Sequence, residues 1–307
     1  MNNFTNDSIQ ITFSQPNLDL FQIADSGQCF RMIPLESEKN GDTKEIPGFS
    51  VICSGRYCEL YQKGEKITLL CMPQDETFWK NYLDIDTDYS TIIASVDPSD
   101  KYLLKAADFG KGIRILRQDL WEMIITFIIS QQKAIPQIRQ AVEDLCRSYG
   151  TATVNFRNHT YYSFPDPYQL SRASLEELKK HRLGYRAKYI YQICQDAAGK
   201  HMDLDALKSM PYRQAMDYLM QFYGIGEKVA NCVCLFGLHH VDAFPVDTWI
   251  KKILMKEYWQ DAYKDLPKNR LYTTMVHDHF SMYEGCAGVM QQYIFFYERR
   301  GNMSHLF

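Results

Sequence analysis

The sequence predicts an α+β protein, with an antiparallel β-sheet in its N-terminal part and a helical domain after it. Apolar and polar residues alternate in four segments of the first hundred residues, which is typical of strands with one buried face. Near Arg117 the hydrophobic period changes from about two to about 3.6, which indicates helices. The 307 residues, of which 46% are hydrophobic, correspond to roughly two domains with their own cores. We therefore predict domains over 1–117 and 118–307.

The N-terminal domain is predicted to be a meander of neighbouring strands followed by short helices. The alternating segments are 9–13, 48–53, 57–62 and 66–71. Glycine-containing triplets at 54–56 and 63–65 supply turns between the last three strands, so these strands should pair in antiparallel order. Apolar spacing over 78–83 and 102–109 predicts two short helices.

In the C-terminal domain, start and stop signals mark the predicted helices. Asp119 is placed to cap one helix, Gly150 ends the next, and residues 174–177 have the pattern of a capping box. Further helices are predicted over 211–223, 227–237, 248–259 and 288–300. The three residues 224–226 separate the first two of these, which makes that pair a helix-hairpin-helix candidate.

Charge is distributed unevenly along the chain, although the net charge is only −3. Residues 1–100 carry 7 Lys and Arg against 16 Asp and Glu, residues 101–200 carry 16 against 9, and residues 201–307 carry 11 against 12. A basic middle in an otherwise acidic chain favours a surface for a polyanion such as nucleic acid, since Lys and Arg neutralise phosphates. Solvated helix faces are the alternative.

Composition argues against several other classes of protein. The nine cysteines are scattered without Cys-x-x-Cys spacing, which argues against a disulfide framework and a zinc site. No run of about 18 apolar residues is present, so no membrane span is expected. Residues 1–10 lack the basic and apolar regions of a secretory signal. We expect a cytoplasmic protein, or a nuclear one if the source is eukaryotic.

The turn Gly224-Ile225-Gly226 is the first candidate for a binding role. Two glycines allow the backbone to turn with φ above zero, and the turn exposes N–H groups at a helix start, where the helix dipole favours an anion. A phosphate is therefore a candidate ligand of Gly224 and Gly226. A plain cap or loop is the alternative.

The candidate catalytic residues are Lys228, Cys232 and Asp247. Lys228 falls in the first turn of a helix, where the dipole disfavours a cation and so favours a nucleophilic amine. Cys232 follows four residues later on the same helical face. Asp247 begins another helix, where its carboxylate is placed to stabilise a developing cation. A surface lysine above a core cysteine, and a lone N-cap aspartate, are the alternatives.

These residues lie in segments that resemble a known family. The run Gly224-Ile225-Gly226-Glu227-Lys228-Val229-Ala230-Asn231-Cys232, followed by Pro245-Val246-Asp247, is similar to the helix-hairpin-helix DNA glycosylases, in particular the 8-oxoguanine DNA glycosylases of the Ogg type. Further similar segments, in the same order, are 26–31, 116–119, 183–189 and 291–295. The resemblance extends from about residue 10 to about residue 300. It implies a twisted antiparallel sheet packed on an all-α helix-hairpin-helix domain.

The resemblance implies a bifunctional enzyme of base excision repair. Lys228 would attack the sugar C1′ of a flipped-out 8-oxoguanine nucleotide while Asp247 stabilises the cationic sugar, and a Schiff base on Lys228 would then lead to strand cleavage by β-elimination. No metal or organic cofactor is required, although family hairpins often hold a structural cation through turn carbonyls. The implied partner is double-stranded DNA that contains 8-oxoguanine, bound by a monomer away from any membrane.

The resemblance also assigns the recognition of the base. Gly27 would offer its carbonyl to the N7 hydrogen that 8-oxoguanine has and guanine lacks, so that a wrong base leaves this acceptor unpaired. Cys232 and Phe295 would sandwich the flipped purine. Gln291 would read its Watson–Crick edge.

The residues that the resemblance places on the DNA are Gln132, Tyr185 and Arg186. Gln132 would fill the space left by the flipped base, Tyr185 would act as a wedge, and Arg186 would approach the estranged base. Gln137 stands where animal enzymes have an arginine that reads the opposite cytosine, so we expect a relaxed cytosine requirement. Trp249 stands where those enzymes have a histidine, which changes the phosphate contacts expected near the pocket.

Other interpretations fit the sequence less well. The iron–sulfur cluster of a related branch needs four closely spaced C-terminal cysteines, and only Cys286 follows Cys234. Alkylated-base glycosylases of the same fold usually lack the lysine. A non-catalytic DNA-binding module has no need of both the lysine and the aspartate. His277 and His279 do not face the same way on a helix, so we expect no metal site there.

Overall fold

The computed structural model describes residues 8–35 and 48–301 and confirms the α+β fold. The strands are β1 (Ile9–Ser14), β2 (Met32–Pro34), β3 (Gly48–Cys53), β4 (Arg56–Lys63), β5 (Lys66–Cys71), β6 (Ala152–Val154) and β7 (Thr160–Tyr162). The first five form one antiparallel sheet in the order β1-β5-β4-β3-β2, and β6 pairs with β7. The four predicted strands are confirmed as β1, β3, β4 and β5. The other three strands have three residues each, too few to show an alternating pattern.

Helices make up most of the other regular structure of the described chain. They are α1 (Leu20–Asp25), α2 (Glu76–Tyr82), α3 (Tyr89–Ala94), α4 (Lys101–Gly110), α5 (Leu120–Ile129), α6 (Ile135–Tyr149), α7 (Pro167–Ser171), α8 (Leu175–Lys179), α9 (Arg186–Ala198), α10 (Leu204–Ser209), α11 (Tyr212–Leu219), α12 (Glu227–Phe236), α13 (Thr248–Glu257), α14 (Lys268–Phe280) and α15 (Ala287–Gly301). Asp119, Ser174 and Asp247 cap α5, α8 and α13 through their side chains, as predicted.

The helix predicted over 211–223 ends earlier, at Leu219. After it the chain makes bonds between residues three apart, from Phe222 N to Leu219 O (3.2 Å) and from Ile225 N to Phe222 O (3.1 Å). These tighter turns lead directly into the glycine turn before α12.

Two hydrophobic cores hold these elements. The core under the sheet contains Val51, Leu60 and Leu69, with Leu20 of α1 and Trp79 of α2. The helical core surrounds α5, whose ten residues are all buried. It also contains residues of α3 and α4, which precede position 117, so these short helices pack with the helices that follow. The boundary at residue 117 stays a prediction.

Hydrogen bonds join the segment that contains Gly27 to the residues between α4 and α5. The buried side chain of Gln28 donates a hydrogen bond to Arg114 O and accepts one from Leu116 N, both 2.8 Å long. Gln118 in turn donates to Gln28 O at 2.9 Å. These bonds satisfy buried polar groups on both segments and so set the position of Gly27.

Membrane-spanning helices, grouped metal ligands and disulfides are absent from the described residues. Among them, no helix is both long and apolar enough to cross a bilayer. No three His, Cys, Asp or Glu side chains in the described ranges are grouped as a metal site needs. All nine cysteines are buried and free.

Candidate active site

Lys228 lies half-buried in the first turn of α12, as the sequence predicts. Its Nζ donates a hydrogen bond to Ser130 Oγ at 3.3 Å, and Ser130 Oγ donates to Phe127 O at 2.8 Å. The ammonium also lies 5.3 Å from the centroid of the Phe127 ring. The end of α5 therefore orients the amine.

Lys228 and Asp247 both lie close enough to Cys232 to influence its thiol. Burial raises the pKa of the Cys232 thiol, the nearby Lys228 ammonium opposes this rise, and the Asp247 carboxylate adds to it. Asp247 is half-buried and accepts a hydrogen bond from Ile250 N at 2.8 Å, so its carboxylate is held at the start of α13. The amine, thiol and carboxylate that the sequence singles out are therefore grouped in space.

Gly27 and Phe295 are in contact, although they are far apart in sequence. Gly27 has φ +82°, and a Cβ at this position would lie 3.3 Å from Phe295 Cε1 and 3.6 Å from Ile135 Cδ1. Gln291 lies one turn before Phe295 on α15 and donates to Pro245 O at 3.2 Å, which joins it to the segment that leads to Asp247. The predicted stacking of a purine between Cys232 and Phe295 stays a prediction.

The loop between α5 and α6 is braced from two sides. Gln131 Nε2 donates to Gly224 O at 3.0 Å, and Gln131 O accepts from Arg186 Nε at 2.7 Å and from Arg186 Nη2. Its neighbour Gln132 is exposed and has φ +50°. The arrangement leaves Gln132 free to point away from the protein, as insertion into a duplex requires.

Arg186, which the resemblance places near the estranged base, is buried in this structure. It is 7% exposed, and its guanidinium also donates to Leu183 O at 3.2 Å and packs 4.5 Å from the centroid of the Tyr185 ring. Its donors thus serve the protein backbone. The predicted contact with the estranged base stays a prediction, whereas Tyr185 is 47% exposed and accessible to DNA.

The two glycines of the hairpin turn have different conformations. Gly224 has φ +92°, as expected, but Gly226 has φ −95° and ψ 178°, so the expectation of φ above zero is wrong for Gly226. Gly226 is the N-cap of α12, which requires extended backbone. Apart from its two chain neighbours, no described residue has an atom within 4 Å of a Cβ added at Gly226, so the absent side chain leaves the helix start open.

A structural cation at this turn stays a prediction. Gly224 O already accepts from Gln131, and Phe222 O already accepts from Ile225 N. Each carbonyl oxygen has a second lone pair for a cation.

Sequence reasoning identified Tyr185 but missed Tyr189 and Tyr223, which lie next to it in a row beside the hairpin. The Tyr185 and Tyr189 rings are 5.7 Å apart, and the Tyr189 and Tyr223 rings are 4.8 Å apart, both edge to face. Tyr223 is 57% exposed and directly precedes the turn. The sequence could have indicated Tyr223, because it directly precedes Gly224. The contact of Tyr189 with the turn depends on the fold and could not be predicted in this way.

A separate cavity of about 710 Å³ opens beside Lys228. It lies between α11–α12 and α13–α14, and its walls include Val246, Lys251 and Tyr272. Gly27, Gln291 and Phe295 do not line it. Lys228 is itself one of the residues that line this cavity.

Comparison with known proteins gives two family matches along the chain. Residues 10–124 match the family described as "8-oxoguanine DNA glycosylase, N-terminal domain". Residues 125–271 match the "HhH-GPD superfamily base excision DNA repair protein" family.

Two curated proteins are similar over most of their length. The "N-glycosylase/DNA lyase" of Saccharomyces cerevisiae is 32% identical over 279 residues, which cover 83% of this chain and 72% of that protein. The "Probable N-glycosylase/DNA lyase" of Methanothermobacter thermautotrophicus is 30% identical over 66% of this chain and 69% of its own length.

Two solved structures have the same fold along almost the whole chain. The 8-oxoguanine glycosylase/lyase of Clostridium acetobutylicum, in complex with double-stranded DNA containing cytosine opposite 8-oxoguanine, has a TM-score of 0.84 and 29% identity, and the match covers 98% of this chain and 100% of that one. MBOgg1 in complex with a low-affinity DNA ligand has a TM-score of 0.84 and 31% identity, with 98% and 99% covered.

Proposed function

Because the chain belongs to the Ogg-type N-glycosylase/DNA lyase family of DNA repair, we propose that it excises 8-oxoguanine from duplex DNA and nicks the strand at the resulting abasic site. The observation that carries this proposal is the grouping of Lys228 in the first turn of α12, Cys232 one turn later and Asp247 at the N-cap of α13. DNA as the partner is supported by the solved DNA complexes of two relatives.

In the proposed first step, Lys228 Nζ attacks C1′ of the flipped nucleotide in its neutral form. The C1′–N9 bond breaks and its electron pair leaves with the base, while Asp247 stabilises the positive charge on the sugar. The hydrogen bond to Ser130 and the contact with Phe127 support this role, because they hold the amine at one place.

In the second step, the bond between Lys228 and C1′ becomes a Schiff base as the sugar ring opens. The iminium acidifies a C2′ proton, and its removal expels the 3′ phosphate. Hydrolysis of the Schiff base then regenerates Lys228. The chain supplies the amine, and no metal takes part.

Selection of the oxidised base is assigned to Gly27. Its positive φ and its contact with Phe295, the predicted stacking residue of the pocket, support this assignment. A carbonyl there accepts the N7 hydrogen of 8-oxoguanine, whereas the bare N7 of guanine would leave a buried acceptor unpaired.

A labelled duplex that carries 8-oxoguanine opposite each of the four bases tests the proposal. Incubated with borohydride, the wild-type chain should form a trapped covalent adduct, and Lys228→Gln should abolish both adduct and nicking while it retains binding to the lesion. Lys256→Gln is the matched control, since Lys256 is exposed at the far end of α13 and pairs with Glu257. The yields of cleaved strand from the four duplexes also show whether Gln137 relaxes the requirement for cytosine opposite the lesion.

An adduct that persists in Lys228→Gln would contradict the assignment of the nucleophile. Tight binding by the wild type without excision on any duplex would instead indicate a non-catalytic DNA-binding protein.

A further inference from the structure

Three arginines lie around residues Ala24 and Asp25, beside the predicted base pocket. Asp25 lies two residues before Gly27, accepts a hydrogen bond from Arg300 Nε, and lies 3.1 Å from Arg299 Nη2. Arg139, on α6, donates to Ala24 O at 2.8 Å. The backbone that leads to Gly27 is therefore surrounded by more positive charge than Asp25 neutralises.

Arg299 is the member of this cluster that reaches Phe295. It lies one turn after Phe295 on α15, and its guanidinium carbon is 5.6 Å from the centroid of the Phe295 ring. Its side chain is 16% exposed. Burial lowers the pKa of Arg299, and the neighbouring Arg300 and Arg139 act in the same direction while Asp25 opposes them.

The buried donors of this cluster are incompletely used. Arg299 Nε and Arg139 Nε are buried and make no hydrogen bond to any residue in 8–35 or 48–301, and Arg299 Nη2 is partnered only by the ion pair with Asp25. Buried cationic donors without hydrogen bonds are costly for a folded protein, so their retention beside a binding pocket indicates a ligand-directed role. The ligand that they favour is one that carries or develops negative charge.

The proposed reaction supplies such a ligand. When the C1′–N9 bond breaks, its electron pair leaves with the purine as an anion, while the new bond from Lys228 Nζ leaves a positive charge on that nitrogen. The nitrogen then releases a proton, and the departing base takes one up, so that charge balances. A cation near the purine lowers the energy of the state in which the base is negative.

We propose that Arg299 is a positioning residue that acts through the Phe295 ring, against which its guanidinium packs, to stabilise a purine that departs as an anion. This inference rests on the proposed function. It also defines the substrate class, because a purine that is already cationic in DNA departs neutral and gains nothing from this charge.

The test compares two reactions of the full-length chain that differ only in whether a base departs. Single-turnover excision of 8-oxoguanine needs that step, whereas cleavage of a duplex with a preformed abasic site does not. Arg299→Gln should slow excision roughly tenfold and leave abasic cleavage and DNA binding unchanged. Arg299→Lys should recover most of the excision rate.

Two further variants act as controls. Arg300→Gln should slow excision much less than Arg299→Gln and leave abasic cleavage unchanged, because Arg300 is 45% exposed and solvent screens its charge. Asp25→Asn adds one net positive charge without altering the Arg299 side chain, so excision should become faster while abasic cleavage stays constant. This variant carries the test if Arg299→Gln does not fold.

Equal losses of both reactions in Arg299→Gln, or slower excision in Asp25→Asn, would show that the cluster is only structural. An unchanged excision rate in Arg299→Gln overturns this inference alone. A wild-type chain that cleaves abasic DNA but excises no oxidised purine overturns the proposed function together with it.

Discussion

Two glycines of the hairpin turn, Gly224 and Gly226, serve different physical purposes. A Cβ at Gly224 would lie 2.4 Å from Tyr189 Cγ and 2.5 Å from Tyr189 Cβ, so the absence of a side chain allows α9 to approach the turn. Its φ of +92° also excludes an ordinary side chain. Gly226 has an unstrained backbone, and its open surroundings leave the start of α12 accessible to a phosphate.

Alanine substitutions separate these purposes. Gly224→Ala should lower the free energy of unfolding by about 2 to 4 kcal/mol, because both the backbone and Tyr189 must shift. Gly226→Ala should leave stability within about 0.5 kcal/mol and weaken DNA binding, since its methyl group meets only an approaching ligand. Chemical denaturation and binding to a lesion-containing duplex measure the two effects. Equal stability of both variants would refute this distinction.

At the scale of elements, the start of α9 holds three parts of the site together. Arg186 binds the backbone of the α5–α6 loop, Gln131 in that loop binds the hairpin turn, and Tyr189 packs on the same turn. Ser130 in the loop then contacts Lys228. The proposed wedge, inserting loop and nucleophile are therefore joined by direct contacts.

The burial of Arg186 leads to a prediction about its role. Arg186→Met should lower the free energy of unfolding by about 2 kcal/mol, because charge-assisted bonds to Gln131 O and Leu183 O are lost. The slope of log binding constant against log salt concentration should remain unchanged. Arg182→Gln removes an exposed cation from the preceding turn. This variant should keep the free energy of unfolding of the wild type and should have a smaller salt slope. A salt slope reduced by about one in Arg186→Met would mean that Arg186 binds a phosphate in the complex.

At the scale of the whole molecule, buried charges join the sheet to the helices. Arg31, which follows the Gly27 segment, is 1% exposed and bonds to Glu143 of α6 at 2.7 Å and to Tyr162 O of β7 at 2.6 Å. Nearby, burial raises the pKa of Glu122 in α5 to about 8, although Arg31 opposes this rise. Glu122 is therefore mostly protonated in the folded chain at neutral pH.

This protonation predicts a pH-dependent stability. Between pH 5.5 and 7.5 the unfolded chain has an ionised Glu122 while the folded chain keeps the proton, so this group lowers stability by about 1.4 kcal/mol for each pH unit of increase. Glu122→Gln should remove this dependence. The free energy of unfolding of the variant, relative to that of the wild type, should therefore rise by about 2 to 3 kcal/mol across that range. Chemical denaturation of both proteins at several pH values measures this difference in the free energy of unfolding. Glu176→Gln, at an exposed position, is the control. Parallel profiles for wild type and Glu122→Gln would contradict the burial argument.

The sequence by itself determines the local parts of this protein. Strands with one buried face alternate, and helices begin at capping side chains, so β3, β4 and β5 and the starts of α5, α8 and α13 are predictable from neighbouring residues. The same logic places Lys228 in a first turn and Asp247 at an N-cap, because both positions are fixed within one turn of helix.

The tertiary structure decides which of these parts meet. Without the family resemblance, nothing near Gly27 indicates Phe295, and nothing near Gln131 indicates Gly224. A basic residue such as Arg186 is predicted on the surface until its partners are known. Likewise the φ of Gly226 follows from its place as the N-cap of α12, not from its being glycine. The reason is physical: capping and alternation involve neighbouring residues, whereas packing and burial arise from contacts between distant segments that only the folded chain brings together.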